Sequence, residues 1–556
     1  MVKTAGIARS MRQPASNNRL AGHLSTSTAR RRTASAASYS TASCIGSPDG
    51  IWGAVAGLAI LIVVLLSLIP PHGILSDNEE NYFALAERFV SGSAWPQATA
   101  VFDASPHRML SDATLGALVS AIGYSPAQIV ARLLAVVGYA LVLPPLFGVL
   151  GLSALDAALA VMTLALIGQD IVGGEWLFGG YEAKVAAYVL VLAALRLLLI
   201  RERLTTTTLL FAAATYMHFL VGGFWFIIAM ALRLLDAPRD LRRVAAAVAL
   251  FVLLMAPMAG LIAWSRLMDN SAAHAIDVPP PDVIYSIIHE PHHQSPFLSQ
   301  IYFRDQWLPG YVMATPMLLA CLWVAWRGAT RQLRIMAVWL AGLLAYLFLV
   351  LLPKFLDRDS GALGKFYLFR PSSLILLLSL MLAMAVATGM LGRRAWLLRA
   401  ALLAMIGPVF LYIQGGRLGR EFVANEALEG PKRLLAAEVR RAAAPGEIVL
   451  IDPAVEMQFL DFERRVGLPA LVLWKFAPTN DAELIAWYRR MELRRILFEQ
   501  GCGTNGDAAN IALLLTTPAL ASRLAASCGP EAFRVGQWVV LHNRPLGEPH
   551  GVANAP

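Results

Sequence analysis

Long apolar runs separated by short, mostly basic connections dominate the chain from residue 51 onward. The first, Ile51 to Pro70, carries no charged residue and is long enough to cross a bilayer as a helix at about 1.5 Å per residue. Comparable runs predict spans over about Gln128 to Leu150, Ala157 to Ile167, Ala183 to Ile200, Val244 to Trp264, Gly310 to Trp326, Ile335 to Leu352, Pro371 to Leu391 and Trp396 to Ile413. The apolar stretch Thr205 to Leu235 would make a single helix of about 46 Å, well beyond a hydrocarbon core of roughly 30 Å. Arginines flank it at both ends, so two short helices meeting near His218 to Gly223 fit better. Broken helices survive in a membrane only where their ends are buried in protein or line a wet cavity, so His218 is expected to face a cavity.

The pattern amounts to about eleven crossings. Arg201 and Arg203, Arg233 to Arg243, Arg327 to Arg334 and Arg393 to Arg399 then fall on one side, the last two groups almost without acids. That bias places the N-terminus in the cytoplasm and the C-terminal region outside. Sorted this way, Asp77, Glu79, Glu80, Asp170, Glu175, Glu182, Lys184, His218, His289 to His293, Lys354, Asp357, Lys365 and Arg370 all fall on the outer side. Span centres carry no charge. Ion-coupled transporters usually hold ionisable groups near the midplane, so the distribution points to chemistry at one interface.

Composition agrees with a polytopic helical membrane protein: 57% of residues are hydrophobic and 15% charged. The net charge of +9 resides in the connections between spans, as topology signals rather than as a nucleic-acid surface. Residues 1–50, with Arg30-Arg31-Arg32 and no acid before Asp49, read as a disordered basic cytoplasmic tail, with a transit peptide as the alternative. Residues 51–415 form the membrane domain. From 416 to 556 the composition becomes that of a small α/β domain, with helices at Pro431 to Ala444, from Asn480 to Leu497 and at Pro518 to Ala526. Strands are expected at Glu447 to Asp452, Leu468 to Lys475, Ala512 to Thr516 and Phe533 to His542. Cys502 and Cys528 could pair there in an oxidising compartment.

Candidate chemistry begins directly after the first span, with Asp77-Asn78-Glu79-Glu80 heading an amphipathic helix over Glu79 to Val90. Carboxylates at a membrane surface can deprotonate an acceptor or hold a cation; the plain alternative is a favourable charge at a helix N-terminus. A polar stretch with Trp95, Asp103, His107, Arg108 and Asp112 follows. The loop Gln169 to Glu182 offers Asp170, Glu175 and Glu182 among Trp176, Phe178 and Tyr181, with Gly173-Gly174 and Gly179-Gly180 as hinges. Aromatic rings beside acids suit a sugar or a lipid headgroup, although Trp and Tyr also anchor membrane interfaces. Glu182 and Lys184 stand where that loop re-enters the membrane and could simply pair. Lys365, Tyr367 and Arg370 precede the next-to-last span, and outer-face cations of this kind can take a lipid phosphate or act as snorkelling anchors. His289-Glu290-Pro291-His292-His293 matches the zinc-protease spelling H-E-x-x-H, but Pro291 breaks the helix that motif needs. No metal ligand is assigned from it; His292 and His293 are read as contacts to a phosphate or hydroxyl.

Taken together, a cytoplasmic start, an acidic motif after the first span, an amphipathic helix behind it, a second acid in the next outer loop and an outer C-terminal domain resemble the GT-C fold glycosyltransferases. Tyr181-Glu182-Ala183-Lys184, His218 to Gly222, Pro291-His292-His293, and Trp474-Lys475 with Trp487 to Arg490 are similar to an uncharacterised bacterial membrane branch of that group. The resemblance implies a polyprenyl-phosphate-linked sugar donor in the bilayer and inverting transfer to a glycan, lipid or protein acceptor, with no nucleic-acid partner. It implies Asp77 or Glu80 as base within the Asp77, Glu79 and Glu80 cluster, with Glu182 or Asp170 assisting or binding a metal. Lys184, His218, Lys365 and Arg370 would hold the donor phosphate; Mg or Mn is admitted but not required. The implied location is a bacterial plasma membrane. A flippase for a lipid-linked substrate and a non-catalytic membrane scaffold are the competing readings.

Overall fold

The computed structural model describes residues 48–71, 77–92, 106–201, 203–269, 277–502 and 511–543; the expected N-terminal tail lies outside them. The helices are α1 (Pro48–Ser67), α2 (Asp77–Ser91), α3 (Met109–Ile122), α4 (Tyr124–Gly148), α5 (Ala154–Leu166), α6 (Ala183–Leu199), α7 (Leu204–Met217), α8 (Phe219–Asp236) and α9 (Leu241–Asp269). They continue as α10 (Leu308–Arg327), α11 (Arg331–Leu349), α12 (Ser372–Leu391), α13 (Ala395–Ala442), α14 (Asp481–Gln500) and α15 (Pro518–Cys528). Among the described residues, six helical segments are long and apolar enough to cross a membrane, with the shorter apolar helices α1 and α5 beside them. Their buried faces form one apolar core, while leucines such as Leu134, Leu141, Leu253 and Leu319 remain exposed around the bundle. An apolar exterior of that kind is what a lipid solvent requires.

The long apolar stretch does break at His218. That residue ends α7 and caps α8 in an extended conformation, φ −154° and ψ 107°. The two helices come so close that a Cβ on Gly222 would lie 2.1 Å from the Thr215 nitrogen. Only a glycine fits there.

Two elements depart from the expected pattern. Pro431 does not start a helix: α13 runs unbroken for 48 residues from the last apolar run into the C-terminal domain, passing through Pro408 and Pro431. The helix survives because Ala427, whose carbonyl loses its partner to Pro431, is exposed to solvent. Leu468 to Lys475 is not a strand either. Pro469 has no N–H to extend a ladder, and the segment makes a single parallel bridge, Val449 to Ala470, before a turn at Trp474–Phe476.

The C-terminal domain holds a four-stranded sheet of β1 (Ile448–Ile451), β2 (Ile511–Thr516), β3 (Glu531–Val535) and β4 (Trp538–His542), in the order β1-β2-β4-β3. β1 and β2 are parallel, joined through α14, and the expected final strand is instead an antiparallel hairpin. Asn480 caps α14 by accepting from the Glu483 N–H. A disulfide joins Cys502 to Cys528.

Glu463 in this domain is buried, accepts one hydrogen bond from the Ala470 N–H, and has its second oxygen unpartnered. Burial pushes its carboxyl up to about 8 from a usual 4.5. A raised carboxyl keeps its full contribution to stability below about 4.5 and loses it as pH rises through about 8. Glu463→Gln should therefore raise the melting temperature at pH 8 and change it little at pH 4.5; equal effects at both would contradict this account.

Candidate active site

A cavity of about 190 Å³ opens where α2, the α7–α8 junction, the loop before α12 and the C-terminal domain meet. Asn81, Tyr82 and Leu85 of α2 form one wall, and Arg108, from a turn at Pro106–Arg108, stands beside them. His218, Lys365 and Arg370 bring further basic groups, Tyr285 and Tyr367 form the floor, and Ala477 to Thr479 with Glu483 supply the roof.

Arg370 is held from several sides. Its Nε lies 3.0 Å from Glu175 Oε1, and its Nη1 lies 2.9 Å from His218 Nε2, which accepts. The Tyr188 hydroxyl donates to its carbonyl, and its guanidinium stacks 4.1 Å from the Tyr367 ring. Tyr367 itself adopts a left-handed backbone, φ 48°, uncommon for a side chain of that size. Its hydroxyl meets that of Tyr285 at 2.6 Å.

From Arg370 a polar chain runs back to the first acidic motif. The other oxygen of Glu175 receives Lys184 at 3.2 Å, Lys184 also pairs with Glu182 at 3.3 Å, and Glu182 accepts from the Asn78 amide. Burial alone would raise the Glu175 carboxyl, but Lys184, then Arg370 and His293, overcome it and hold the group well below the usual range. Lys184 stacks on Trp176 at 4.3 Å. The loop that carries Glu175 is firmly placed: Gln169 Oε1 accepts from the Leu177 and Phe178 N–H groups, and Ser372 Oγ accepts from those of Ile171 and Val172.

The acids of α2 part company. Glu79 is fully buried between Arg132 of α4, at 2.7 Å, and the Tyr181 N–H at 2.6 Å. Glu80 pairs with Arg464 of the C-terminal domain; burial still pushes its carboxyl up against that cation. Neither lines the cavity. Asp77 is the first residue of α2, one helical turn before Asn81, and its side chain lies outside the described set.

Of the other residues singled out in the sequence, Lys365 faces the cavity but is shared by Asp282 at 2.8 Å and Asp481 at 2.5 Å. Asp170 sits behind the wall, accepting from the Glu175 N–H, and burial raises its carboxyl to about 6. Tyr181 packs edge-on against Phe83, and His292 and His293 lie behind Gly173-Gly174. Arg108, Tyr285 and the junction role of Glu175 are site features that the sequence does not single out, whereas Tyr82 belongs to the motif that resembles the first-loop catalytic motif. Arg108 stacks over Tyr82 at 4.5 Å and meets Asp112 only at 3.7 Å. Burial raises the Asp112 carboxyl to about 6 in spite of Arg108. Its one signal in the sequence was a cation on the side expected to be poor in them.

The apolar helical bundle, the small sheet domain and the basic cavity that both line make up the fold of a polytopic helical membrane protein. Among solved structures the chain is similar to ArnT from Cupriavidus metallidurans in the apo state, with a TM-score of 0.51 and 15% identity over 90% of this chain and 99% of that one. No protein-family model and no curated protein sequence matches the chain.

Proposed function

We propose that the chain is an inverting glycosyltransferase that takes a sugar from a polyprenyl-phosphate carrier at the outer leaflet of a bacterial plasma membrane. The observation that carries this reading is the convergence of Arg108, Arg370 and His218 on one cavity at the end of α2 where the acidic motif begins. Leu85, Phe219 and Leu220 supply apolar wall beside these groups, as a phosphate joined to an isoprenoid requires.

The helical period supports Asp77 as the base. Residues 77, 81 and 85 share a face of α2, and Asn81 and Leu85 line the cavity. Glu79 and Glu80 are turned elsewhere and engaged by Arg132 and Arg464. Asp77 takes the proton from the acceptor hydroxyl or amine as that atom attacks the anomeric carbon. The bond from that carbon to the phosphate oxygen breaks, and Arg108 and Arg370 stabilise the charge gathering on the departing phosphate. Glu175 keeps Arg370 and Lys184 charged and aimed; Glu182 and Asn78 tie that set to the base. An outer position for the C-terminal domain is supported by the Cys502 to Cys528 disulfide, which persists in oxidising compartments, and by arginines gathered at the loops after α6, α8 and α10.

The test is transfer from a radiolabelled polyprenyl-phosphate sugar by the full chain in liposomes. Cleavage of the glycosyl–phosphate bond is expected; movement of intact labelled lipid between leaflets without cleavage would favour the flippase. Arg108→Ala and Arg370→Ala should each raise the donor KM about tenfold or more, since each removes a charge-assisted contact to phosphate. Unchanged KM in both would remove the donor from this cavity.

A further inference from the structure

Behind the Tyr285 and Tyr367 floor lies a second cluster that the transfer reading does not use. Glu290, His292 and His293 each present one ligand atom, all within 4.8 Å of one another. We infer that these three side chains bind one divalent cation of the zinc class, and this holds whether or not the chain transfers sugar.

The spacing fits. Glu290 Oε2 lies 3.5 Å from His292 Nε2 and 3.4 Å from His293 Nε2. Ligand atoms about 2.0–2.2 Å from a tetrahedral zinc ion are about 3.3 Å apart along each edge. Oε2 is buried and takes no hydrogen bond, with both imidazoles beyond hydrogen-bonding geometry but within ion-pair distance of it.

The outer atoms of the ligands are also arranged as metal sites require. His293 turns its Nδ1 to the Gly173 carbonyl, which fixes its tautomer and leaves Nε2 free to ligate. Gly173 adopts φ 87° and packs so tightly on Phe369 that an added Cβ would lie 2.9 Å from the Phe369 Cβ, so the carbonyl is held in place. His289 sits 3.3 Å from the other Glu290 oxygen, orienting the carboxylate. The H-E-x-x-H spelling therefore works in an unexpected way. The π-helical turn Ile284–His289 ends at Glu290, and Pro291 starts a new turn, so His289 supports the carboxylate while His292 joins His293.

Two imidazoles and one carboxylate suit zinc better than magnesium or calcium, which take oxygen ligands. Three protein ligands leave a fourth position, and the His292 side chain, 57% exposed, opens it to water. The cation ties the segment that carries Tyr285 to the glycine turn two residues before Glu175, joining the cavity floor to the group that aims Arg370.

The experiment uses untagged full-length chain, stripped with chelator and dialysed, with Co2+ as probe. The expected result is one equivalent of tightly bound Co2+ with the strong visible absorption of a four-coordinate site, bleached by one equivalent of Zn2+. Glu290→Gln, His292→Ala and His293→Ala should each weaken binding tenfold or more, and His289→Ala by about tenfold through the orienting contact. Wild-type protein that takes up no Co2+, or gives only the weak spectrum of a six-coordinate ion, would overturn the site without recourse to any variant. Equal affinity in the wild type and a correctly folded Glu290→Gln, His293→Ala double variant would also overturn it. None of these readings needs a sugar donor, so failure here is distinct from failure of the transferase.

Discussion

Asp77→Asn is expected to lower the rate of transfer by about a thousandfold, the range found when a positioned general base is removed. The substitution keeps size and polarity at the first residue of α2, so the chain should insert and melt as the wild type does. Glu80→Gln provides the contrast. Both oxygens of Glu80 are taken by Arg464, so that variant should loosen the C-terminal domain and weaken activity through the roof of the cavity, not through the proton. The measurement is single-turnover transfer with saturating donor, which separates chemistry from binding. Activity of Asp77→Asn within a few-fold of wild type would remove the base from α2 altogether.

The second large effect concerns stability. Arg132→Leu removes the cation paired with the buried Glu79 carboxylate and the donor to the Pro70 carbonyl. Breaking a buried ion pair from one side costs about 3–5 kcal/mol, so the variant should accumulate poorly and melt far below the wild type. Replacing both partners, Glu79→Met with Arg132→Leu, should recover most of that loss, because an apolar pair of similar volume is often as stable as the ions. Thermal melting of the purified variants in detergent decides it. If the double variant is no better than the single, the Pro70 contact carries the effect instead of the charge.

These two expectations mark where the sequence could be read and where it could not. Apolar runs predicted the membrane helices, and their length against the bilayer predicted the break at His218, because both depend on local pattern alone. The cap at Asn480 is local in the same sense. The partners of the acidic motif are not: Arg132 is 53 residues from Glu79, and Arg464 is 384 from Glu80. Nothing local separates an acid bound for an ion pair from one facing a cavity. The cavity is lined instead by Asn81, Tyr82 and Leu85 of the same helix. Arg108 was hidden for the opposite reason, since it lies in an irregular stretch with no periodicity to assign it a side. Pro291 was correctly read as breaking a helix, but the break brings His292 and His293 together with Glu290. At Pro431 the same rule misled, because an exposed carbonyl tolerates the lost donor.

The unbroken α13 has a mechanical consequence. A helix of 48 residues is about 70 Å long, so its far end moves by about 1 Å for each degree that its lower half leans. Lipid thickness sets such leaning, since an apolar helix tilts to match the hydrocarbon around it. With the domain also fastened to α2 through Glu80, a thinner or thicker bilayer would shift the ceiling over Tyr82 and Arg370 as one piece.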